Sequence, residues 1–247
     1  LIDLHCHLLP GVDDGAQDLS ESLELARIAV SEGISTAVLT PHFHPGRFDN
    51  DIDGLSAIFN TFKAELSNAD IALDIHLAAE VRMTDRLLSD IPNNRIPFLG
   101  VYQGWRVLLL ELPYSHIPPG TEQLINWLNS RKIMPMIAHP ERNREVIQNP
   151  NILSRLSRFK LMYQLTIGSF SGDFGDHVQA TATSLLQMGF VGVLATDAHS
   201  VKRRPPIVAK GLAVVSDMVG EAQANQYIIE RPAQILQGRK ELLNVVG

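Results

Sequence analysis

Short apolar runs along this 247-residue chain end, again and again, in an imidazole or a carboxylate. His5 and His7 close the first run, His42 follows the second, Glu80 the third, Glu111 the fourth, His139 the fifth, and Asp197 with His199 the seventh. Side chains two apart in an extended segment point the same way and sit roughly 6.5 Å apart. His5 with His7, and Asp197 with His199, can therefore converge on one point, while Cys6 faces away. Imidazole and carboxylate are borderline-to-hard donors suited to zinc, manganese or iron. These eight candidates exceed the ligands that one tetrahedral ion takes, so two or three ions are implied. Divalent ions would also offset the negative charge that Glu80, Glu111, Asp197 and an aspartate such as Asp14 bring to one small space. Asp13 and Asp14 are adjacent, and spacing does not say which of them is the ligand. Asp13 also reads as a turn residue before Gly15.

The elements that must position these groups are legible as alternating β-like and helix-like segments, the pattern of βα units around a parallel sheet. Seven β-like runs lie near Ile2–His5, Thr36–Thr40, Ile71–Ala79, Arg106–Glu111, Met134–His139, Met162–Ile167 and Gly192–Thr196. Between the first two, Asp18 and Glu21 make a capping box, Leu23, Ala26, Ile28 and Val30 supply an apolar face, and Gly33 ends the helix. Ile52, Leu55, Phe59, Phe62 and Leu66 repeat at helical spacing and read as a core stripe. Pro118 and Pro119 precede a further helix carrying Leu124, Ile125 and Leu128. With no linker, repeat or low-complexity tract, residues 1–247 are expected to form a single α/β domain, a barrel of about seven βα units. In such folds the site forms where strands end and βα loops begin.

The formal charge of −6 argues against a surface built for a nucleic-acid backbone. Cys6 is the only cysteine, so no intrachain disulfide forms and no thiolate-rich metal site exists. A reducing cytoplasm fits. No run approaches the roughly 20 apolar residues of a membrane span. Asp3, His5 and His7 fall where the apolar core of a signal peptide would be, so no secretory leader is read there.

The segments I-D-L-H-C-H, T-P-H, A-A-E, L-L-E-L-P, I-A-H-P-E-R and A-T-D-A-H together resemble the polymerase and histidinol phosphatase (PHP) superfamily. The resemblance is closest to its bacterial tyrosine-phosphatase branch, found with capsule and exopolysaccharide genes. H-L-L-P-G-V-D-D-G at 7–15, G-S-F-S-G-D-F-G at 168–175 and R-P-P at 204–206 also look like that branch. The resemblance implies a distorted seven-stranded (β/α)7 TIM-like barrel with three divalent ions, manganese first, with iron or zinc as alternatives. His5, His7, Glu80 and Asp197 would bind the first ion. Glu80 would bridge to a second, also held by Glu111 and His139, and Asp14, His42 and His199 would hold the third. Asp14 and Glu111 stand where many superfamily members have histidine, itself a feature of the tyrosine-phosphatase branch. Arg142 and Arg204 match arginines that hold the substrate phosphate.

The implied activity is a manganese-dependent protein-tyrosine phosphatase acting on the tyrosine-rich tail of a bacterial kinase that controls polysaccharide export. Bound metal lowers the pKa of water from 15.7 toward about 7, so a bridging hydroxide can attack phosphorus without a protein nucleophile. The guanidinium groups of Arg142 and Arg204 offer planar paired donors to phosphoryl oxygens. The cysteine-based phosphatase mechanism is excluded, because Val12 stands where it needs arginine. A small-molecule phosphatase, such as a histidinol phosphatase, is the second reading. A catalytically silent metal-binding subunit is the third, and ranks last because every expected ligand is present. Phe170 and Phe174 are candidates to flank a phosphotyrosyl ring. His44 is a pocket-wall or loop residue, His76 a hydrogen-bonded core histidine, and His116 and His177 surface residues. Trp105 and Trp127 read as core or interface aromatics. Lys202 and Arg203 read as solvated loop cations or as a means of recruiting an acidic partner.

Overall fold

The β-like runs of the first hundred residues fold as parallel strands flanked by helices. The computed structural model describes residues Leu1–Arg239, and the chain divides into two units, Leu1–Pro97 with Ala195–Ala209, and Phe98–Leu194 with the residues from Lys210 onward.

The first unit contains β1 (Ile2–Cys6), β2 (Thr36–Leu39), β3 (His42–Phe43), β4 (Asp74–Leu77) and β5 (Glu80–Arg82). β1, β2 and β4 pair in parallel in that order, and β3 pairs in parallel with β5. Burial explains the composition of β1 and β2, each buried at all but its first residue, as parallel strands covered on both faces usually are. Helices α1 (Leu19–Ser31), α2 (Ile52–Asn68) and the single turn α3 (Leu87–Asp90) complete the unit. The Asp18 side chain caps α1 at Glu21 N–H, 2.9 Å away, while the Glu21 carboxylate accepts from Gln17 N–H at 3.0 Å. The buried face of α1 is Ser22, Leu25, Ala26 and Ala29 rather than the expected Leu23, Ala26, Ile28 and Val30. Ala26 is common to both sets; Leu23, Ile28 and Val30 are half-buried, because the small Ser22 and Ala29 let the helix pack closely on their side. In α2 the expected stripe buries Leu55, Phe62 and Leu66.

The second unit contains β6 (Gly100–Tyr102), β7 (Trp105–Glu111), β8 (Ile133–Ala138), β9 (Met162–Thr166) and β10 (Val193–Ala195). β6 and β7 form an antiparallel hairpin, β7, β8 and β9 run in parallel, and β10 lies beside β9. Its helices are α4 (Thr121–Asn129), α5 (Arg144–Gln148), α6 (Ile167–Phe170), α7 (Asp176–Gln187), α8 (Ala209–Val219), α9 (Glu221–Asn225) and α10 (Arg231–Gln237). Ile125 and Leu128 of α4 are buried as expected. Glycine permits the closest approaches: a Cβ at Gly100 would lie 2.1 Å from the Ile235 carbonyl oxygen, and one at Gly211 would lie 2.2 Å from that of Ile167.

Every expected run contains a strand. β3, β5 and β6 were not expected, because two or three residues are too few for a periodicity to register. Among the described residues no helix is long and apolar enough to cross a membrane.

Candidate metal centre

A backbone ladder builds the heart of the site. The segment after β10 runs beside β1: Asp197 N–H donates to the His5 carbonyl and His7 N–H to the Ala198 carbonyl, both at 2.8 Å. Cys6 pairs with Ala198 in the same parallel sense and turns its buried thiol to the Val38 carbonyl. The two alternating pairs, His5 with His7 and Asp197 with His199, therefore face one another. Asp3 locks this register from below. Its carboxylate accepts from Thr196 N–H at 3.0 Å, from the Thr196 hydroxyl, and from His5 N–H at 3.2 Å. Asp197 has φ of +52°, a left-handed conformation uncommon outside glycine and one that redirects the chain just at a donor.

β3 and β5 add the next donors. His42 and Glu80 are direct register partners, and His42 Nδ1 lies 3.0 Å from Glu80 Oε2. The same oxygen lies 3.3 Å from both His5 Nε2 and His7 Nε2, and Asp197 Oδ1 lies 3.3 Å from His5 Nε2 and 3.5 Å from His7 Nε2. On the outer side Asp14 Oδ1 lies 3.1 Å from His42 Nε2 and 3.7 Å from His199 Nε2. His199 donates Nδ1–H to the Asp197 carbonyl at 2.9 Å, which leaves Nε2 directed at the cluster. Donor atoms of His5, His7 and Glu80 lie within 4.8 Å of one another, as do those of His7, His42 and His199. Both groups could hold a metal ion, and their mixed imidazole and carboxylate chemistry suits a divalent one. His5, His7 and Glu80 are fully buried, and the Asp14 side chain, 46% exposed, sits at the open edge.

Several residues that orient the expected ligands carry no signal of that role in the sequence. Asp13 is not merely a turn residue: its carboxylate accepts from His7 Nδ1–H at 2.7 Å, Gly15 N–H at 2.9 Å and His42 N–H at 2.9 Å. A carboxylate behind a ligating imidazole fixes its tautomer and turns the other ring nitrogen to the metal. Burial opposes charge on His7, but Asp13 outweighs it and pushes the imidazole up to about 9, while Asp13 itself is drawn down to about 2 against its own burial by the same contact. His199 goes the other way, to about 3, through burial and the nearby His7. Asp14 is held below the usual carboxylate range, chiefly by the hydrogen bond from His42. Asn50 donates its side-chain amide to the Val12 and His42 carbonyls, and Phe48 stacks on the His42 ring at 5.3 Å between centroids. Arg47 reaches Asp14 at 3.6 Å. Asn50, Phe48 and Arg47 lie in a loop with no motif to mark them.

Arg204 donates to the Asp197 carboxylate and, at 2.9 Å, to the Asp197 carbonyl. It is therefore tied to one of the expected metal ligands. In the second unit, Glu111 ends β7 and His139 follows β8; Leu110 and Ile137 are register partners, so both donors leave the same end of neighbouring parallel strands. His139 adopts φ of +32°, again a strained turn at a donor. Arg142, in the 3₁₀ turn Pro140–Arg142, donates to the Thr166 hydroxyl at 2.6 Å and lies over the Phe174 ring at 3.9 Å. Phe174 is half-buried in that position. Phe170 is fully buried on α6, so the expectation that it flanks a substrate ring is wrong: a helical turn, not an open loop, sets its direction. His76 is also misread, being one-third exposed and paired with Asp74 at 3.2 Å rather than set in the core. His44 is half-buried and closes a tight turn with Phe48, and His116 and His177 are exposed as expected. Trp105 and Trp127 are half-buried, under Lys132 and Arg131 respectively.

A family model described as capsular polysaccharide synthesis, CpsB/CapC, matches residues 1–237. The chain belongs to the CpsB/CapC family. Among CpsB/CapC relatives, the tyrosine-protein phosphatase YwqE of Bacillus subtilis (strain 168) is 33% identical over 252 residues, covering 97% of this chain and 98% of YwqE. The putative tyrosine-protein phosphatase CapC of Staphylococcus aureus is 31% identical over 244 residues, covering 99% and 92%. A crystal structure from work on YwqE and on CpsB from Streptococcus pneumoniae, described there as unique metal-dependent tyrosine phosphatases, matches with a TM-score of 0.85. That match covers 99% of this chain and 94% of the other at 33% identity, and it bears out the fold class that the resemblance implied.

Proposed function

We propose that this CpsB/CapC chain is a metal-dependent protein-tyrosine phosphatase. The observation that carries the reading is the convergence of His5, His7, Glu80 and Asp197, with His42, His199 and Asp14 beside them, in a family whose curated relatives bear that activity in their names. The proposed ligand sets are His5, His7, Glu80 and Asp197 for one ion, Glu80, Glu111 and His139 for a second, and Asp14, His42 and His199 for a third. Manganese is the proposed metal. Bound ions would supply Lewis acidity and a water deprotonated at neutral pH. The protein's own part is to aim the donors through Asp3, Asp13 and the β1 ladder, and to offer the Arg142 and Arg204 guanidiniums to phosphoryl oxygens. A tyrosyl leaving group needs little help, since phenol has a pKa near 10. The proposed physiological substrate is the phosphorylated tyrosine-rich tail of a polysaccharide-export kinase in the cytoplasm.

The test is a manganese-reconstituted assay on sequence-matched phosphotyrosyl and phosphoseryl peptides and on histidinol phosphate. The phosphotyrosyl peptide should be favoured by at least tenfold in kcat/KM, because phosphoserine is shorter and leaves as a poorer alkoxide. Equal rates on both peptides would reduce the reading to an unspecific metal phosphohydrolase, and efficient turnover of histidinol phosphate would replace it with a small-molecule one.

A further inference from the structure

Beside the Asp14 and His199 edge of the cluster, the first unit opens into a cavity of about 790 Å³. That is well above the lower end, about 300 Å³, of the range that small-ligand sites occupy, and leaves room beyond one ring and its phosphate. One wall is the turn from Ser200 to Arg204, and the other is the 15–18 loop with the first turns of α1. The turn is held in several ways. Ser200 and Arg204 exchange backbone hydrogen bonds at 3.3 and 3.2 Å, Val201 N–H donates to the Glu21 carboxylate at 3.3 Å, and Arg204 is anchored on Asp197. Pro205 and Pro206 then stiffen the exit. Lys202 and Arg203 stand exposed at the tip, so three successive cations line one wall of a cavity in a chain of net charge −6. The facing wall is anionic, with Asp14, Asp18, Glu21 and Glu24 along it, but Asp14 is paired with His42, Asp18 and Glu21 are engaged at the N-terminus of α1, and the exposed Glu24 lies one turn further along the helix.

We infer that this cavity is a subsite for the polypeptide on either side of the phosphorylated tyrosine, and that Lys202 and Arg203 select substrates with an acidic residue there. The inference rests on the proposed phosphatase reading. Arg204, at the root of the turn, faces the cluster, while the two residues before it face the rim. A peptide whose phosphate meets Arg204 therefore carries its neighbouring side chains past two cations on a backbone already fixed, which lowers the entropy lost on binding. Rim charges of this kind act on encounter and KM more than on the chemical step, and weaken with salt.

The experiment compares phosphotyrosyl peptides with Glu or Lys flanking the phosphotyrosine, on the metal-loaded wild type and on a Lys202→Glu, Arg203→Glu double variant. Circular dichroism and metal content report the variant's integrity. The wild type should favour the Glu-flanked peptide at least fivefold in kcat/KM, mainly through KM, with the ratio shrinking in high salt and falling to one or below in the variant. A wild-type ratio within twofold of one, or a ratio that survives charge reversal, overturns the inference. If no phosphotyrosyl peptide is hydrolysed, the phosphatase reading fails. The same ratio is then read from binding of non-hydrolysable phosphonate peptides, where preference for Glu upholds the subsite and equal binding removes it.

Discussion

The Asp13 carboxylate collects three hydrogen bonds, from the imidazole of His7 and the backbones of Gly15 and His42, so it couples two proposed ligands through one group. Asp13→Asn would keep the size of the side chain and remove the charge that supports the imidazole. Metal affinity, measured by competition with a chelator, should fall by about 10–100-fold while the fold persists. Wild-type affinity would make Asp13 a turn residue after all. The same pair sets a pH dependence. In the metal-free cluster His7 keeps its second proton up to about pH 9, because Asp13 outweighs burial. A metal needs the neutral ring, so uptake at pH 7 should displace that proton, and affinity should rise as pH climbs toward 9. His199, neutral above about pH 3, contributes nothing to this slope. Calorimetry in buffers of different ionisation enthalpy checks it, and an enthalpy independent of buffer would contradict it. The two arginines should also behave differently. Arg142 contacts Thr166 and Phe174, so Arg142→Ala should keep full metal content and lose at least tenfold in kcat/KM, whereas Arg204→Ala, which also frees Asp197, should lose both. Equal metal content in the two variants would refute that distinction.

At the scale of elements, the site was legible wherever a donor pair sits on extended backbone. His5, His7, Asp197 and His199 follow the two-residue alternation that a strand imposes, and the β1 ladder does bring them face to face. Residues whose roles depend on where a loop returns were not legible. Asp13 and Asn50 act only because the 11–15 loop and the segment after β3 meet, and Phe170 was misjudged because α6 is a single turn without a periodicity. Gly15 is where the 11–15 loop folds back against His7. A Cβ there would lie 2.2 Å from the His7 carbonyl oxygen, a separation backbone must move to relieve. Gly15→Ala should therefore lower metal content together with stability. Gly33, with φ of +86° and no neighbour within 4 Å, supplies the contrast. Gly33→Ala should cost only the left-handed strain of about 1–2 kcal/mol and leave metal content intact. Denaturant titrations with elemental analysis would test the pair, and metal loss in the Gly33 variant would defeat the argument.

On the scale of the whole molecule, burial and charge are in tension at one place. Glu80 and Asp197 are almost wholly withdrawn from water, with Asp14 close by, in a protein already at net charge −6. Imidazolium groups such as His7 offset part of that charge without metal, but each protonated ring is then lost as a donor. Divalent ions would resolve the conflict by neutralising the carboxylates and letting the rings serve as ligands. Because such ions bind the folded arrangement and not the separated segments, they should stabilise the fold by mass action, by about 4.1 kcal/mol at a thousand times the dissociation constant. For a chain of this length each kcal/mol moves the melting temperature by roughly 2–4 °C, so saturating manganese should raise it by about 8–16 °C above a chelator-stripped sample. His5→Ala removes a donor shared between Glu80 and Asp197 and should shrink the rise without unfolding the protein. Differential scanning calorimetry on stripped, reconstituted and His5→Ala samples decides the matter: a melting temperature indifferent to manganese would mean that the cluster is a buried hydrogen-bond network rather than a metal centre.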